Sequence, residues 1–220
     1  MSLQAISIPA KTGKPPAGLF VALHGWGANA QDLASLAFAL NLPAYQMLFP
    51  NAPFPYPYSP GGRAWYNFPE TYAFESDAAF AARPDLVESR RLLTEWLRSL
   101  PDLTGVPLER TVLAGFSQGG AMTLDVGLGL PLAALLVLSG YLHAPVQIGN
   151  AAPPPVLMVH GRQDQVVPMR EAERSRDQLL ALNISVSFHE LAAGHEISPE
   201  VLKIVQNFTE ELRLQPDPAT

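Results

Sequence analysis

Three residues with the right chemistry for acyl transfer follow one another along the 220-residue chain: Ser117 in "GFSQG", Asp164 in "HGRQDQVVP" and His195 in "AAGHEIS". A serine hydroxyl is a poor nucleophile near neutral pH. It becomes an effective one when a base within hydrogen-bond reach takes its proton and a third group fixes the tautomer of that base. The glycines two residues before and two residues after Ser117 match G-x-S-x-G, the signature of a nucleophile raised on a sharp strand-to-helix turn. Any side chain at position 115 or 119 would crowd the neighbouring strand and helix, so the glycines make room for the turn.

The rival acids and bases are less well placed. Asp125 falls inside the helix that follows the serine and should point away from it, and Asp102 precedes the nucleophile strand. His189 lies within a strand pattern, and His143 follows the wrong strand. His24 and His160 are better suited to bracing loops. The tetrahedral intermediate of acyl transfer also needs donors aimed at its oxyanion. The backbone N–H of Gln118, in the first turn after the serine, is one candidate, and that of Trp26, in the glycine-containing loop "LHGWGANA", is the other. That loop also matches the dinucleotide fingerprint G-x-G-x-x-A. The acidic residue expected about twenty positions later is missing, and a bulky tryptophan would crowd a pyrophosphate.

These residues have to be carried by a framework, and the chain alternates apolar strand-like runs with helical patterns, as a mainly parallel α/β sheet does. "LQAISI" alternates like an edge strand. "GLFVALHG", "QMLFPNAP", "RTVLAGF", "AALLVLSG", "PPVLMVHG" and "ISVSFHEL" read as further strands. Helical patterns fall on "AQDLASLAFAL", on Arg83 to Leu100, on "QGGAMTLDVGLG", on "MREAERSRDQLLAL" and on about Pro199 to Leu212. Continuous apolar strands such as "AALLVL" fit a sheet covered on both faces by helices. Ligands of such sheets sit at the carboxyl ends of the strands, which is where His24, Ser117, Ser139, His160, Asp164 and His195 fall. The order serine, acid, base is that of the α/β-hydrolase fold.

One stretch breaks the rhythm. Residues 50–75 are rich in proline and, with Phe49, hold about half of the chain's aromatic residues, which suggests an ordered loop near the site. Within it Trp65 and Tyr66, together with Trp26 and with Val167 beside Asp164, are the candidate substrate-binding residues. Only about a dozen residues separate "LLVLSG" from "PPVLMV", too few for a separate lid domain.

Composition narrows the class. The length suits one domain, 1–220, ending in a tail from 213 to 220. Proline, with 22 residues, is about twice its usual share. A formal net charge of −6 with scattered cations argues against a nucleic-acid partner. The absence of cysteine rules out disulfides and thiolate metal sites and fits a cytoplasmic protein. The most apolar run, "GLGLPLAALLVL", is too short to span a bilayer, so no stable membrane insertion is expected.

The sequence resembles the carboxylesterase, acyl-protein thioesterase and lysophospholipase family of α/β-hydrolases. The likeness rests on "LHGWGANAQD", "PGGRAWYNF", "GFSQGGAM", "LSGYL", "HGRQDQVVP" and "GHEIS", in family order from about residue 19 to about residue 200. It implies a triad of Ser117, Asp164 and His195, with the amides of Trp26 and Gln118 as the oxyanion hole. Trp26 departs from the family's usual leucine, and Ala28 from its frequent aspartate. The expectation is therefore a serine carboxylesterase that cleaves short- to medium-chain esters or thioesters through an acyl-enzyme, as a monomer or homodimer, with no metal or organic cofactor. Acyl-protein thioesterase or lysophospholipase activity is the alternative within the family. A peptidase on the same fold and a non-catalytic ligand-binding receptor on a hydrolase scaffold are the readings outside it.

Overall fold

The computed structural model describes residues 3–215 apart from 70, 71, 73, 75, 150 and 151. Four positions of the aromatic stretch and the last five of the tail therefore lie outside the described residues. The strands are β1 (Ala5–Ile8), β2 (Gly18–Leu23), β3 (Tyr45–Pro50), β4 (Phe54–Pro55), β5 (Arg63–Ala64), β6 (Thr111–Phe116), β7 (Ala134–Leu138), β8 (Val156–Gly161) and β9 (Val186–Leu191). The helices are α1 (Ala30–Ala34), α2 (Leu36–Ala39), α3 (Ala78–Ala81), α4 (Pro84–Thr104), α5 (Gln118–Gly127), α6 (Met169–Ala181) and α7 (Pro199–Glu211).

Seven strands form one sheet in the order β1-β3-β2-β6-β7-β8-β9. Only β1 runs antiparallel, pairing with β3 at the edge; the remaining pairs are parallel. Every residue of β2, β7 and β8 is buried, because crossover helices cover both faces of a parallel sheet and leave neither side for polar residues. Alternate residues of each strand feed two cores. On one face Val21, Leu113 and Val137 pack against α4 through Leu93 and Leu97 and against α5 through Met122. On the other, Phe20, Ala114 and Leu136 meet Leu33 and Ala37 of α1 and α2 and Val201 and Val205 of α7. Each fully buried leucine contributes about 1.5–3 kcal/mol. This is the α/β-hydrolase fold, and the described residues contain no separate lid.

Three expectations change in detail. The single helix expected over "AQDLASLAFAL" is two short ones, α1 and α2, meeting at Ser35. The apolar period continues across the break, but the Ser35 hydroxyl donates to the Asp32 carbonyl at 3.0 Å, a local bond that competes with the helical ladder. The long helix begins at Pro84, not Arg83, which is its extended N-cap, and runs on to Thr104 through Pro101, to be stopped by Gly105 at φ +72°. The aromatic stretch holds a small hairpin, β4 with β5, a pairing too short to announce itself by alternation.

Candidate active site

Ser117 stands between β6 and α5 with φ +55° and ψ −117°. That is a backbone conformation costly for any residue with a β-carbon, and such conformations cluster at functional turns. The two glycines permit it. A β-carbon on Gly115 would stand 2.2 Å from the Gly119 carbonyl oxygen, and one on Gly119 would stand 2.2 Å from that of Leu23. The turn thus presses α5 directly onto β2 and β6 and leaves Ser117 partly exposed at the strand end. Gln118 opens α5, so its N–H has no acceptor within the helix.

Asp164 follows β8, and its side chain is fully buried. Its Oδ1 accepts hydrogen bonds from the amides of Val166, 2.9 Å, and Val167, 2.8 Å. Its Oδ2 lies 2.7 Å from Nδ1 of His195. Burial pushes the carboxyl's pKa up, but the hydrogen bond from His195 and the two amides outweigh it and hold the group below its ordinary value. The acid is therefore ionised at neutral pH. His195 sits in the loop between β9 and α7, and its ring rests 4.7 Å from that of Phe116, the residue before the serine. With Nδ1 bound to the acid, Nε2 is the ring atom left for proton transfer.

The acid and base loops are laced together by backbone. Arg162 donates its amide to Leu191, and Gln163 to Ala193. A β-carbon on Gly161 would stand 2.3 Å from the Ala193 oxygen, so this glycine is what lets the two loops approach. Sequence reasoning passed over Gly161; its signal is only the glycine before "RQD".

Three other histidines are occupied, and His189 is an exposed residue of β9. His24 accepts the Ala52 amide at Nε2, 3.0 Å, and its Nδ1 donates to the Gly25 carbonyl, 2.8 Å. Burial lowers its pKa to about 4, against the raising effect of the Gly25 bond. His160 donates from Nε2 to the Val167 carbonyl, 2.9 Å, and burial lowers its pKa as well. His143 and Asp125 meet each other at 3.1 Å within the core.

The loop after β2 is paired with the hairpin. Gly27 donates to the Arg63 carbonyl and Arg63 to the Ala28 carbonyl, each at 2.9 Å, while the Ala28 amide turns back to Gly25. Trp26 stands in this loop with its ring edge-on to Tyr56 at 4.9 Å and to Phe68 at 5.0 Å, forming an aromatic wall. Trp65, Tyr66 and Val167 require a correction. They were expected to contact substrate, but all three are completely buried and offer a ligand no surface. The half-buried Phe68 reaches the wall from this segment, as Tyr56 does, and its place in a proline-rich run hid it.

Among the described residues no group of three or more histidine, aspartate or glutamate side chains could hold a metal ion, and no helix is long and apolar enough to cross a membrane.

Comparison with known proteins agrees with this picture. Residues 5–213 match the Phospholipase/Carboxylesterase family. An acyl-protein thioesterase 1 homolog from Dictyostelium discoideum is 29% identical over 176 residues, 77% of each chain. The acyl-protein thioesterase 1 of Gibberella zeae is 28% identical over 201 residues, covering 84% of this chain and 83% of that one. Among solved structures, esterase PE8 superposes with a TM-score of 0.85 at 31% identity, over 96% of this chain and all of that one (100%). SOBER1 of Arabidopsis thaliana, at 24% identity and a TM-score of 0.75, shares the fold. On the strand-end placement of its polar residues, its seven-stranded sheet and these matches, the chain belongs to the phospholipase/carboxylesterase family and is an ester-cleaving hydrolase.

Proposed function

We propose that the chain is a serine carboxylesterase acting on short- to medium-chain esters through an acyl-enzyme. The observation that carries the reading is the 2.7 Å bond between the buried, ionised Asp164 and His195, whose ring packs 4.7 Å from that of Phe116, the residue before a serine held at φ +55°. His195 takes the proton of Ser117 at Nε2 as the serine oxygen attacks the ester carbonyl. The new C–O bond forms, and the carbonyl electron pair moves onto oxygen, where the amides of Trp26 and Gln118 receive it. The intermediate collapses, the bond to the leaving alcohol breaks, and His195 returns the proton to that alcohol. Water then repeats the sequence against the acyl-enzyme and releases the acid. Asp164 stays ionised throughout, holding the imidazole and stabilising its cation.

The pairing of the Gly27 and Ala28 amides with neighbouring carbonyls supports Trp26 as the donor of its loop. The Trp26–Phe68 wall supports a groove suited to modest acyl chains. Relatives named acyl-protein thioesterase favour a second reading, in which the acyl group arrives as a thioester; the same steps apply, with a thiol leaving. Substrates in both readings are small esters or acylated molecules. The test is turnover of p-nitrophenyl esters of graded length, with a thioester and a lysophospholipid alongside. Ser117→Ala should lower kcat by about 10⁴-fold or more, and retention of most of the turnover would refute the serine mechanism.

A further inference from the structure

The amide of Gln118 has a role in the mechanism above; its side chain has none. That side chain is nevertheless fully buried and engaged at both ends. Oε1 accepts the Trp65 N–H at 2.9 Å, and Nε2 donates to the Tyr66 carbonyl at 2.8 Å. A primary amide is the side-chain group that offers a donor and an acceptor in one plane, so it can grip two neighbouring peptide units as a paired strand would. The gripped segment is held elsewhere too. The Ser89 hydroxyl donates to the Trp65 carbonyl, and the Trp65 indole donates to the His24 carbonyl at 3.0 Å.

A second hold reaches the same segment from the far part of α5. The Tyr66 hydroxyl is 2.9 Å from Nδ1 of His143 and 3.0 Å from the Tyr141 hydroxyl. His143 lies 3.1 Å from the Asp125 carboxylate, which also pairs with Arg90. Residues 65 and 66 are thus hydrogen-bonded to α5 at its first residue and, through Tyr66 and His143, brought up against Asp125 near its end. Two residues on, Phe68 lies 5.6 Å from the Tyr66 ring and 5.0 Å from the Trp26 ring. The aromatic wall beside the oxyanion amides is therefore mounted on the helix that carries the nucleophile.

We propose that the Gln118 side chain is a positioning residue that sets the width of the acyl site. It fixes the Trp65–Phe68 segment, and through Phe68 the Trp26 ring, relative to Ser117. This rests on the esterase reading of the same site and adds to it the device that selects acyl length. A methylene that fits is worth a factor of about 4 in binding, so a wall that yields by one or two methylenes changes selectivity measurably.

The test uses the full chain and p-nitrophenyl acetate, butyrate and octanoate, with kcat and KM measured separately. Gln118→Met keeps the volume and the main-chain amide and removes both grips. It should raise the octanoate-to-acetate ratio of kcat/KM about tenfold, mainly through a lower KM for octanoate. Tyr66→Phe loosens the second hold without touching the serine turn and should shift the ratio in the same direction by less. A general loss of folded enzyme would slow all three esters alike and leave the ratio where it was. An unmoved ratio in Gln118→Met, with every ester slowed equally, overturns the proposal. Should Gln118→Met not fold, as judged by circular dichroism, Tyr66→Phe decides alone: a shifted ratio supports the proposal and an unmoved one overturns it. Ser117-dependent turnover by the unaltered chain is measured first. Its absence refutes the esterase reading, whereas an unmoved ratio in its presence refutes only the positioning role.

Discussion

At the scale of single residues, the site is governed by how Asp164 keeps its charge while buried. Its two oxygens are divided between tasks. Oδ1 takes the Val166 and Val167 amides, and Oδ2 takes His195. Asp164→Asn should leave Oδ1 bonded and the loop folded, since an amide oxygen still accepts from both amides. It removes the charge that orients His195 and can present an N–H where an acceptor is needed. The expected outcome is a fall of about 10⁴-fold in kcat with a melting temperature within a few degrees of the unaltered protein; loss of folding in step with activity would contradict it. The Asp164–His195 pairing was legible in the sequence, because both residues follow strand ends in the order serine, acid, base; His24 and His160 also stand at strand ends but read as loop braces. The burial of Trp65, Tyr66 and Val167 was not legible. Aromatic and aliphatic side chains near a site read identically whether they face a ligand or stand behind the residues that do.

At the scale of elements, the junction of β6 and α5 is the part least open to change. Gly119 faces the backbone of Leu23 and His24, which belong to the interior strand β2 and its end, so nothing flexible can give way. Gly119→Ala should destabilise by about 3 kcal/mol, lowering the melting temperature by roughly 10 °C, and should lower turnover by displacing the start of α5. A melting curve and an ester assay on the same sample check both, and an unshifted transition would show that the turn has room to spare. The glycine spacing announced this turn from the sequence. The break between α1 and α2 had no comparable signal, because the apolar spacing continues across Ser35, where the serine hydroxyl donates to the Asp32 carbonyl.

At the scale of the whole molecule, buried neutral histidines couple stability to pH. His24 has a folded pKa of about 4 against an ordinary value of 6.5, and His160 is shifted in the same direction. Between those two values the unfolded chain takes up a proton that the folded chain refuses, so stability declines as pH falls through 6.5 and the loss levels off near 4. For His24 alone the decline from pH 7 to pH 5 is about 2 kcal/mol. Asp164 and Asp125, whose folded pKa values are lowered, add stability that persists until the pH falls below the ordinary carboxylate range. Urea unfolding at pH 7 and pH 5 measures the decline. A protein equally stable at both values, or a His24 ring resonance that titrates above pH 6, would contradict it.

Taken alone, the sequence determined the fold class, the order of the polar residues along the chain and the tight strand-to-helix turn at Ser117. These depend on local patterns: apolar runs bounded by turns, and glycines at the two positions where a side chain has no space. Only the tertiary structure decided which residues meet. The 2.7 Å contact of Asp164 with His195, the close approach of their loops over Gly161, and the grip of Gln118 on Trp65 and Tyr66 join segments far apart in the chain. Their geometry follows from how a twisted sheet brings its strand ends together, which no local spacing encodes.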